Sequence, residues 1–404
     1  MDEIPLLPSE VYLLRVSSVS SITFYTTTSS DDGNSHDRIR AFLQARLGTI
    51  TACNPWLQGQ LKRSKDGLVL QVEHRNQPLQ LGAYDLPQLS PDMPYNDLTT
   101  SLEPLAVLRG TELMGNPDQP IFRVAWISIS PTVGAFYMSL SHVVADGYTY
   151  YRVFNMFGAA CTPSALTPRR RPDLPMRTKG YNDTVDLHRS VSMLWHMAST
   201  ALMSPTPTIS VHTLSNEWIT REKEAALPTT AVSTNDIVTS WYFQLCRADV
   251  GFMVVNTRDK YPHVTHDLAG NYTTLVGYQP QDYASPSLLR ASLQSVPYRR
   301  AVSGGLPWMF CKSTAMITSW ASLSDAAPPA LPQCTLVAHF PVADASYNPP
   351  YTSLAVVFRK SPAELGILLR TRSPFANASA LADATMSSST RCSVADQVKN
   401  VTFA

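Results

Sequence analysis

The chain has 404 residues, of which 44% are hydrophobic and 16% charged, and its formal net charge is +1. This composition excludes a disordered polyelectrolyte, and the near-zero charge gives no support for binding nucleic acid through its phosphates. A chain longer than about 300 residues exceeds the usual size of one hydrophobic core, so we expect two subdomains and a small-molecule partner.

The amino terminus, MDEIPLLPSE, carries acidic residues where a secretory signal has basic ones, and its prolines interrupt the apolar run. No apolar stretch approaches the roughly 18 residues of a membrane-spanning helix. The six cysteines lie far apart, and no pair has the spacing of a zinc or redox motif. We therefore expect a cytoplasmic protein with free thiols, no membrane span and no metal site.

The first predicted helix covers HDRIRAFLQARLG, residues 36–48, because its apolar residues recur at helical spacing and Gly48 suits a left-handed cap. Farther on, IFRVAWISIS and GAFYMSLSH are β-rich runs separated by PTVG, which predicts two antiparallel strands, the second ending at His142. The next segment, YTYYRVFNMF, has one apolar helical face, and Asp146 is a suitable N-cap for this helix.

Proline and arginine dominate CTPSALTPRRRPDLPMRTKG, residues 161–180, which predicts a crossover connection. We interpret its arginine run as a solvated linker, with contact to a phosphate-bearing ligand as the alternative. Beyond it, STNDIVTSWYFQLC predicts a capped amphipathic helix and FMVVNTRDK a buried strand with a polar end. The predicted organisation is an N-terminal half over 1–160, a linker over 161–210 and a C-terminal half over 211–404.

His142 is the candidate catalytic residue because it follows a buried strand and Asp146 comes four residues later, before a helix. The spacing alone is weak evidence, since His263 also has an aspartate four residues on, but in a polar segment without such neighbours. In layered α/β proteins, ligand-binding crevices open at the ends of strands, so a side chain at such an end is held beside the ligand. A histidine imidazole in this position can act as a general base. Asp146 could bond the histidine or turn away into an ion pair, and a core histidine with a capping aspartate is the alternative to catalysis.

SHVVADG resembles the H-x-x-x-D-G signature of the BAHD acyltransferases, a branch of the chloramphenicol acetyltransferase-like, CoA-dependent superfamily. Other segments resemble that family in its order: NPWLQGQL, STNDIVTSW, VVNTRDKYP with Gly270 and Asn271 after it, and ITSWASL from 317. DASYNPP, from Asp344, departs from the family's D-F-G-W-G by losing both glycines and the phenylalanine. We therefore expect a divergent member with an altered loop and CoA channel.

The resemblance implies an α/β fold of two chloramphenicol acetyltransferase-like subdomains, each a mixed sheet flanked by helices, with the active-site channel between them. It implies that His142 is the general base that deprotonates a hydroxyl or amine acceptor, which attacks an acyl-CoA thioester without an acyl-enzyme. Acyl-CoA is then a co-substrate, and no permanently bound cofactor is expected. Two rivals stay open: a catalytically silent acyl-binding or interaction protein, and a condensation-like enzyme that uses a carrier-protein thioester. The latter class usually has two consecutive histidines where this chain has Ser141 and His142.

The resemblance also implies roles for other residues. Thr318 and Trp320 match positions that line the active site and donate to the oxyanion, with a core role for Trp320 as the alternative. Asp146, the second residue of the catalytic motif, is expected to turn away from His142 and to pair with Arg258. The alternative for Arg258 is a position exposed to solvent. Structural support is expected from Gly147, Arg258, Asn271 and Asp344. A monomer is expected, while the acceptor and the acyl chain are not predicted.

Overall fold

The computed structural model describes residues 2–27, 35–73, 78–171, 182–226, 230–261, 263–294, 300, 305–323, 328–344, 346–347, 349–375 and 377–386. Residues 172–180 of the predicted connection, Cys392 and the chain end after 386 lie outside this set. The strands are β1 Asp2–Pro5, β2 Val19–Thr27, β3 Gln60–Ser64, β4 Gly67–Val72, β5 Gly82–Asp85, β6 Phe122–Ser130, β7 Val133–Leu140, β8 Thr208–Thr213, β9 Val250–Asn256, β10 Thr273–Tyr278, β11 Thr314–Ser319, β12 Cys334–Pro341, β13 Ser353–Arg359 and β14 Leu365–Thr371. The α-helices are α1 Ser35–Cys53, α2 Tyr95–Leu102, α3 Gly110–Gly115, α4 Gly147–Asn155, α5 Asn182–Arg189, α6 Val191–Met203, α7 Asn216–Ala226, α8 Thr234–Cys246, α9 Pro286–Leu293 and α10 Ala378–Ala384. Short 3-10 helices cover Pro8–Arg15, Pro55–Gln58 and Glu103–Leu105.

The first large sheet has five strands in the order β12-β2-β7-β6-β5. Its centre is the predicted β6–β7 hairpin, which the structure confirms as an antiparallel pair that turns between Ser130 and Val133. β5 runs parallel to β6, so the sheet is mixed. Nearly every side chain of β7 is buried, because helices cover one face of the sheet and the second sheet packs near the other.

The second large sheet has six strands in the order β10-β9-β11-β13-β14-β8. β9, β11 and β13 are parallel neighbours, and the outer pairs are antiparallel. Its apolar side chains pack against α8, whose N-cap Ser233 accepts a hydrogen bond from the Asp236 N–H at 3.3 Å. The predicted helix and buried strand of the second half are thereby confirmed as α8 and β9. A smaller sheet has three strands in the order β1-β4-β3.

A shared apolar layer joins the two large sheets. Ile22 and Phe24 of β2 belong to the same buried cluster as Val356 and Phe358 of β13. The opposite face of the first sheet packs against α1 and α4. The result is two mixed sheets with helices on their outer faces, as predicted. Among the helices of the described residues, none is both long and apolar enough to cross a membrane.

Two local predictions are corrected by the structure. The first helix does not end at Gly48, since α1 continues to Cys53. Its buried face continues through Ile50 and Thr51, so packing extends a helix that a single glycine does not stop. His142 is not part of the preceding strand, because β7 ends at Leu140 and a turn follows.

Two strands complicate the predicted division at 1–160, 161–210 and 211–404. β12 lies late in the sequence but pairs with β2, with Pro341 opposite Ser21. β8 begins within the predicted linker and pairs with β14 in the second sheet. The two sheets therefore do not divide the chain at one point, and the subdomain boundaries stay a prediction.

Candidate active site

His142 lies in the turn between β7 and α4, two residues beyond the end of the strand. Its side chain is half-buried. The Nδ1 atom is enclosed and has no hydrogen-bond partner among the described residues. The turn itself begins with the Ser141 N–H, which donates to the Ile121 carbonyl at 2.9 Å, so the backbone before His142 is tied to the start of β6.

Asp146 ends this turn and caps α4. Its Oδ1 accepts from the Thr149 N–H at 2.9 Å, and its Oδ2 from the Tyr272 N–H at 3.0 Å. Arg258 donates to both carboxylate oxygens, at 2.7 and 3.2 Å. Burial by itself would raise the pKa of Asp146, but Arg258 and the two N–H donors outweigh it and hold the pKa below its ordinary value. The carboxylate is therefore turned toward Arg258 rather than toward the imidazole of His142.

Arg258 follows β9 and brings the second sheet to this turn. The side chain is 3% exposed, so the alternative of a solvated arginine is wrong. Its Nη2 donates to the Gly270 carbonyl at 2.9 Å and to the Thr149 hydroxyl at 3.0 Å. The guanidinium also lies over the rings of Tyr148 and Tyr272, 4.5 and 5.1 Å from their centroids. The pair with Asp146 thus joins the N-terminus of α4 to the loop after β9.

Asn271 contacts the turn from the same loop. Its Nδ2 donates to the carbonyls of His142 and Val143, at 3.0 and 3.2 Å. The same amide group donates to Glu10 at 3.0 Å. Asn271 therefore contacts the backbone of the candidate catalytic residue directly, and sequence reasoning had assigned it only general structural support.

Arg170 corrects the prediction of a solvated arginine run. The residue is 4% exposed and its Nε lies 3.0 Å from a carboxylate oxygen of Glu10, itself fully buried. The neighbouring Arg169 is exposed, as predicted for the run. Glu10 and Arg170 are 160 positions apart, so local charge patterning contains no signal for their pairing.

Gly147 and Trp320 meet at the start of α4. A Cβ atom on Gly147 would lie 3.1 Å from Nε1 of Trp320 and 3.2 Å from Cδ1 of Leu323. The absence of a side chain at this position lets the indole approach the helix end. Trp320 also packs edge-on against Tyr151, with ring centroids 5.9 Å apart. Trp320 is half-buried, and within the described part of the chain its N–H has no hydrogen-bond acceptor.

Thr318 lies two residues before Trp320, near the end of β11. It is half-buried and pairs in register with Val356 of β13. Its hydroxyl forms no hydrogen bond within the residues that the structure describes. The structure thus places Trp320 against Gly147, directly after the turn that contains His142, and Thr318 in the strand that precedes Trp320.

Asp344 is held in a separate loop. Its Oδ2 accepts from Nε and Nη2 of Arg109, at 3.1 and 2.7 Å, and its Oδ1 accepts from the Ser346 N–H at 2.8 Å. Burial would raise the pKa of Asp344, but Ser346 and Arg109 lower it below its ordinary value. Arg370 donates to the Asp344 carbonyl at 3.0 Å and to the Tyr347 carbonyl. Side chains from other elements therefore bond Asp344 and Tyr347, two described residues of the segment that departs from D-F-G-W-G.

The other candidate groups are a second histidine, possible metal ligands and the cysteines. His263, the second histidine with an aspartate four residues on, is exposed and has a left-handed φ of 68°. Across the described ranges, no cluster of three or more His, Cys, Asp or Glu side chains could hold a metal ion. The cysteines that the structure describes are free thiols, namely Cys53, Cys161, Cys246, Cys311 and Cys334.

No protein-family model and no curated protein matches this sequence. Solved structures share its fold. TRI101 of F. graminearum, complexed with coenzyme A and deoxynivalenol, is 15% identical with a TM-score of 0.63, over 92% of this chain and 96% of that one. TRI101 of F. sporotrichioides, complexed with coenzyme A and T-2, is 15% identical with a TM-score of 0.63, over 92% and 95% of the two chains. The first condensation domain of the CDA synthetase is 13% identical with a TM-score of 0.56, over 92% and 90%. This chain therefore has the chloramphenicol acetyltransferase-like α/β fold of two subdomains, each a mixed sheet flanked by helices.

Proposed function

We propose that this protein is an acyltransferase that moves an acyl group from acyl-CoA to a hydroxyl or amine of a small-molecule acceptor. The observation that carries the proposal is the half-buried His142 on a turn that follows β7 of the first sheet and is held by Asn271 and Arg258 from the β9–β10 loop of the second. Asp146 forms an ion pair with Arg258 and not with His142, so the imidazole of His142 can bond the substrate. The SHVVADG motif supports placing the protein in the BAHD branch of this fold.

His142 acts as the general base in this proposal. Because its Nδ1 is enclosed, the other ring nitrogen, Nε2, is the one that takes the proton from the acceptor hydroxyl or amine. The acceptor atom then attacks the thioester carbon of acyl-CoA. As the tetrahedral intermediate collapses, the carbon–sulfur bond breaks and the imidazolium returns the proton to the CoA thiolate. The acyl group passes directly between the two substrates, so no acyl-enzyme forms.

Trp320 is the proposed donor to the oxyanion of the tetrahedral intermediate. Its indole N–H lies beside Gly147 at the start of α4 and, within the described residues, has no protein acceptor. An N–H held in this way can bond an oxyanion without first breaking another bond. Thr318 is proposed as a second donor on the strength of the family resemblance. Asp146 contributes through Arg258 to the architecture of the site and makes no contact with the reacting atoms.

The structural neighbours support acyl-CoA as donor. The TRI101 structures hold coenzyme A together with deoxynivalenol or T-2, which supports a small-molecule acceptor here. A second candidate function is condensation from a carrier-protein thioester, which the likeness to a condensation domain favours. The single histidine after Ser141 favours the CoA-dependent reaction over this candidate.

The experiment that tests the proposal measures CoA-thiol release by the purified chain from acetyl-, long-chain and aromatic acyl-CoAs, with pooled alcohols and amines. His142→Asn removes the base, and we expect acceptor-dependent release to fall about 10²- to 10⁴-fold. His263→Asn is the matched control, since it makes the same change at an exposed histidine whose left-handed backbone suits asparagine. We expect this control to keep full activity.

Each alternative has its own outcome. Equal acceptor-dependent release by the wild type and His142→Asn would overturn His142 as the base. Transfer only from an acyl-phosphopantetheine carrier protein would establish the condensation-like candidate. Binding of acyl-CoA without release under any condition would favour the silent acyl-binding protein.

A further inference from the structure

The backbone of the catalytic turn is bonded by side chains from two distant segments. The carbonyls of His142 and Val143 accept from Nδ2 of Asn271, at 3.0 and 3.2 Å. The next carbonyl, that of Val144, accepts from Nη2 of Arg170 at 2.9 Å. Three successive carbonyls of the turn are therefore held by side-chain donors rather than by a helix or a sheet.

One carboxylate holds both donors. Glu10, in the 3-10 helix Pro8–Arg15, is fully buried, and its two oxygens accept from Nε of Arg170 at 3.1 and 3.0 Å. Its Oε1 also accepts from the backbone N–H and Nδ2 of Asn271, at 3.1 and 3.0 Å. The Leu7 N–H donates to Oε2 at 2.7 Å. Hydrogen bonds to a carboxylate are stronger than those between neutral groups, so Glu10 fixes the orientation of Arg170 and Asn271 together.

The backbone conformation of Gly270 makes room for the Arg170 side chain. Its φ is +134°, a region that favours glycine, and a Cβ there would lie 2.9 Å from Cζ of Arg170. The guanidinium also donates to the carbonyls of Ala269 and Pro168, at 2.9 and 2.7 Å. Gly270 therefore gives Arg170 the space to cross from the connection after α4 to the turn, and places Asn271 next to it.

We infer that Glu10, Arg170 and Asn271 form a carbonyl clamp that positions His142 for the proton transfer. The inference rests on the proposed function. The Asp146–Arg258 pair fixes the end of the turn where α4 begins, whereas the carbonyl clamp fixes the backbone of His142 itself. An imidazole that must meet an acceptor proton within hydrogen-bond reach depends on this backbone, because a shift of about 1 Å can cost a large factor in rate. Glu10 acts through Arg170 and Asn271, so it is a positioning residue.

The test combines imidazole NMR with steady-state kinetics on the full chain. Histidine-labelled protein gives a ring resonance for His142, assigned with His142→Asn. Glu10→Gln and Asn271→Ala are expected to shift this resonance and to lower kcat about 10- to 100-fold while KM for acyl-CoA stays within about twofold. Arg290→Met is the control for destabilisation alone, since it leaves the buried carboxylate of Asp236 on α8 without its partner 2.7 Å away and changes no residue of the clamp. It is expected to leave both readouts unchanged.

The two readouts separate this inference from the proposed function. If the wild type shows no turnover but the His142 resonance shifts in the clamp variants, the proposed function fails and the clamp stands. If folded Asn271→Ala leaves the resonance in place, the clamp is overturned whatever the kinetics show. Glu10→Gln leaves the Arg170 cation buried without a carboxylate, so it can fail to fold. Asn271→Ala keeps that ion pair and decides the question in that case.

Discussion

Asp146→Asn tests how strongly the buried ion pair at α4 stabilises the protein. Asparagine keeps the shape and one carbonyl oxygen, but it leaves the Arg258 guanidinium buried without a counter-charge. The side chains of Arg258 and Asp146 are 1% and 2% exposed, so solvent cannot take over the lost interaction. Removing one partner of such a pair costs about 3 to 5 kcal/mol, and we expect the free energy of unfolding to fall by that amount.

The matched control is an ion pair of similar length on the surface. Arg221 and Asp383 are 2.6 Å apart, and both side chains are 57% exposed. Asp383→Asn removes this pair by the same chemical change, and we expect a loss below about 1 kcal/mol because solvent screens exposed charges. The comparison isolates burial as the variable, since the chemical change is identical and the separations differ little.

The assay is urea unfolding at pH 7, followed by tryptophan fluorescence and circular dichroism. Because the folded pKa of Asp146 is lowered, its contribution is complete above the unfolded value of about 3.9 and is lost as pH falls through the folded pKa. The measurement at pH 7 therefore includes the whole effect. A loss for Asp146→Asn no larger than that for Asp383→Asn would refute the reasoning. Adding Arg258→Met should cost less than the sum of the two single changes, since the second removes the unpaired cation.

Three further predictions concern other positions near the site. Gly147→Ala places a methyl group 3.1 Å from the Trp320 indole nitrogen, so we expect a loss of about 1 to 3 kcal/mol in urea unfolding and a shifted tryptophan emission, and an unchanged midpoint would contradict the close approach. Trp320→Phe keeps a ring but removes the N–H, so kcat should fall about 10²- to 10³-fold, and a change within about threefold would remove Trp320 as an oxyanion donor. Burial lowers the pKa of His339 to about 3. The neutral imidazole contributes its full stability above the unfolded pKa of about 6.5, and this contribution is lost as the pH falls toward the folded pKa. By pH 5 the loss in the free energy of unfolding is about 2 kcal/mol. His339→Gln should therefore lose less stability than the wild type between pH 7 and pH 5, and equal losses in urea titrations would contradict this assignment.

The elements around His142 were predictable because their signals are local. The β6–β7 hairpin follows from two β-rich runs and a turn, and the Asp146 cap follows from one side chain and the helix after it. The same reasoning failed at Gly48, where tertiary packing of Ile50 and Thr51 prolongs α1 beyond a residue of low helix propensity. Local propensity predicts where a helix can stop, but burial decides whether it does.

The contacts that hold the site were not predictable from local patterns. Glu10 and Arg170 are 160 residues apart, and each looks like an ordinary surface charge in its own segment. β12 joins β2 across an even longer distance in sequence, with Cys334 opposite Thr27. Such pairings depend on which segments the topology brings together, and local sequence patterns do not show that. The family resemblance predicted the pairing of Asp146 with Arg258, but it did not predict that Glu10 pairs with Arg170.

The altered segment at Asp344 is weaker evidence for a silent protein than its sequence indicates. Without the two glycines of D-F-G-W-G, this segment cannot easily adopt the positive-φ conformations that glycine allows. That loss would disturb the loop if glycine alone determined its conformation. Here Arg109 bonds the Asp344 carboxylate, and Arg370 bonds the carbonyls of Asp344 and Tyr347. Guanidinium groups from the N-cap of α3 and from β14 therefore hold Asp344 and Tyr347 without help from the two glycines. The turn at His142, where we propose the proton transfer, is held by other residues, namely Asn271, Arg170 and Arg258.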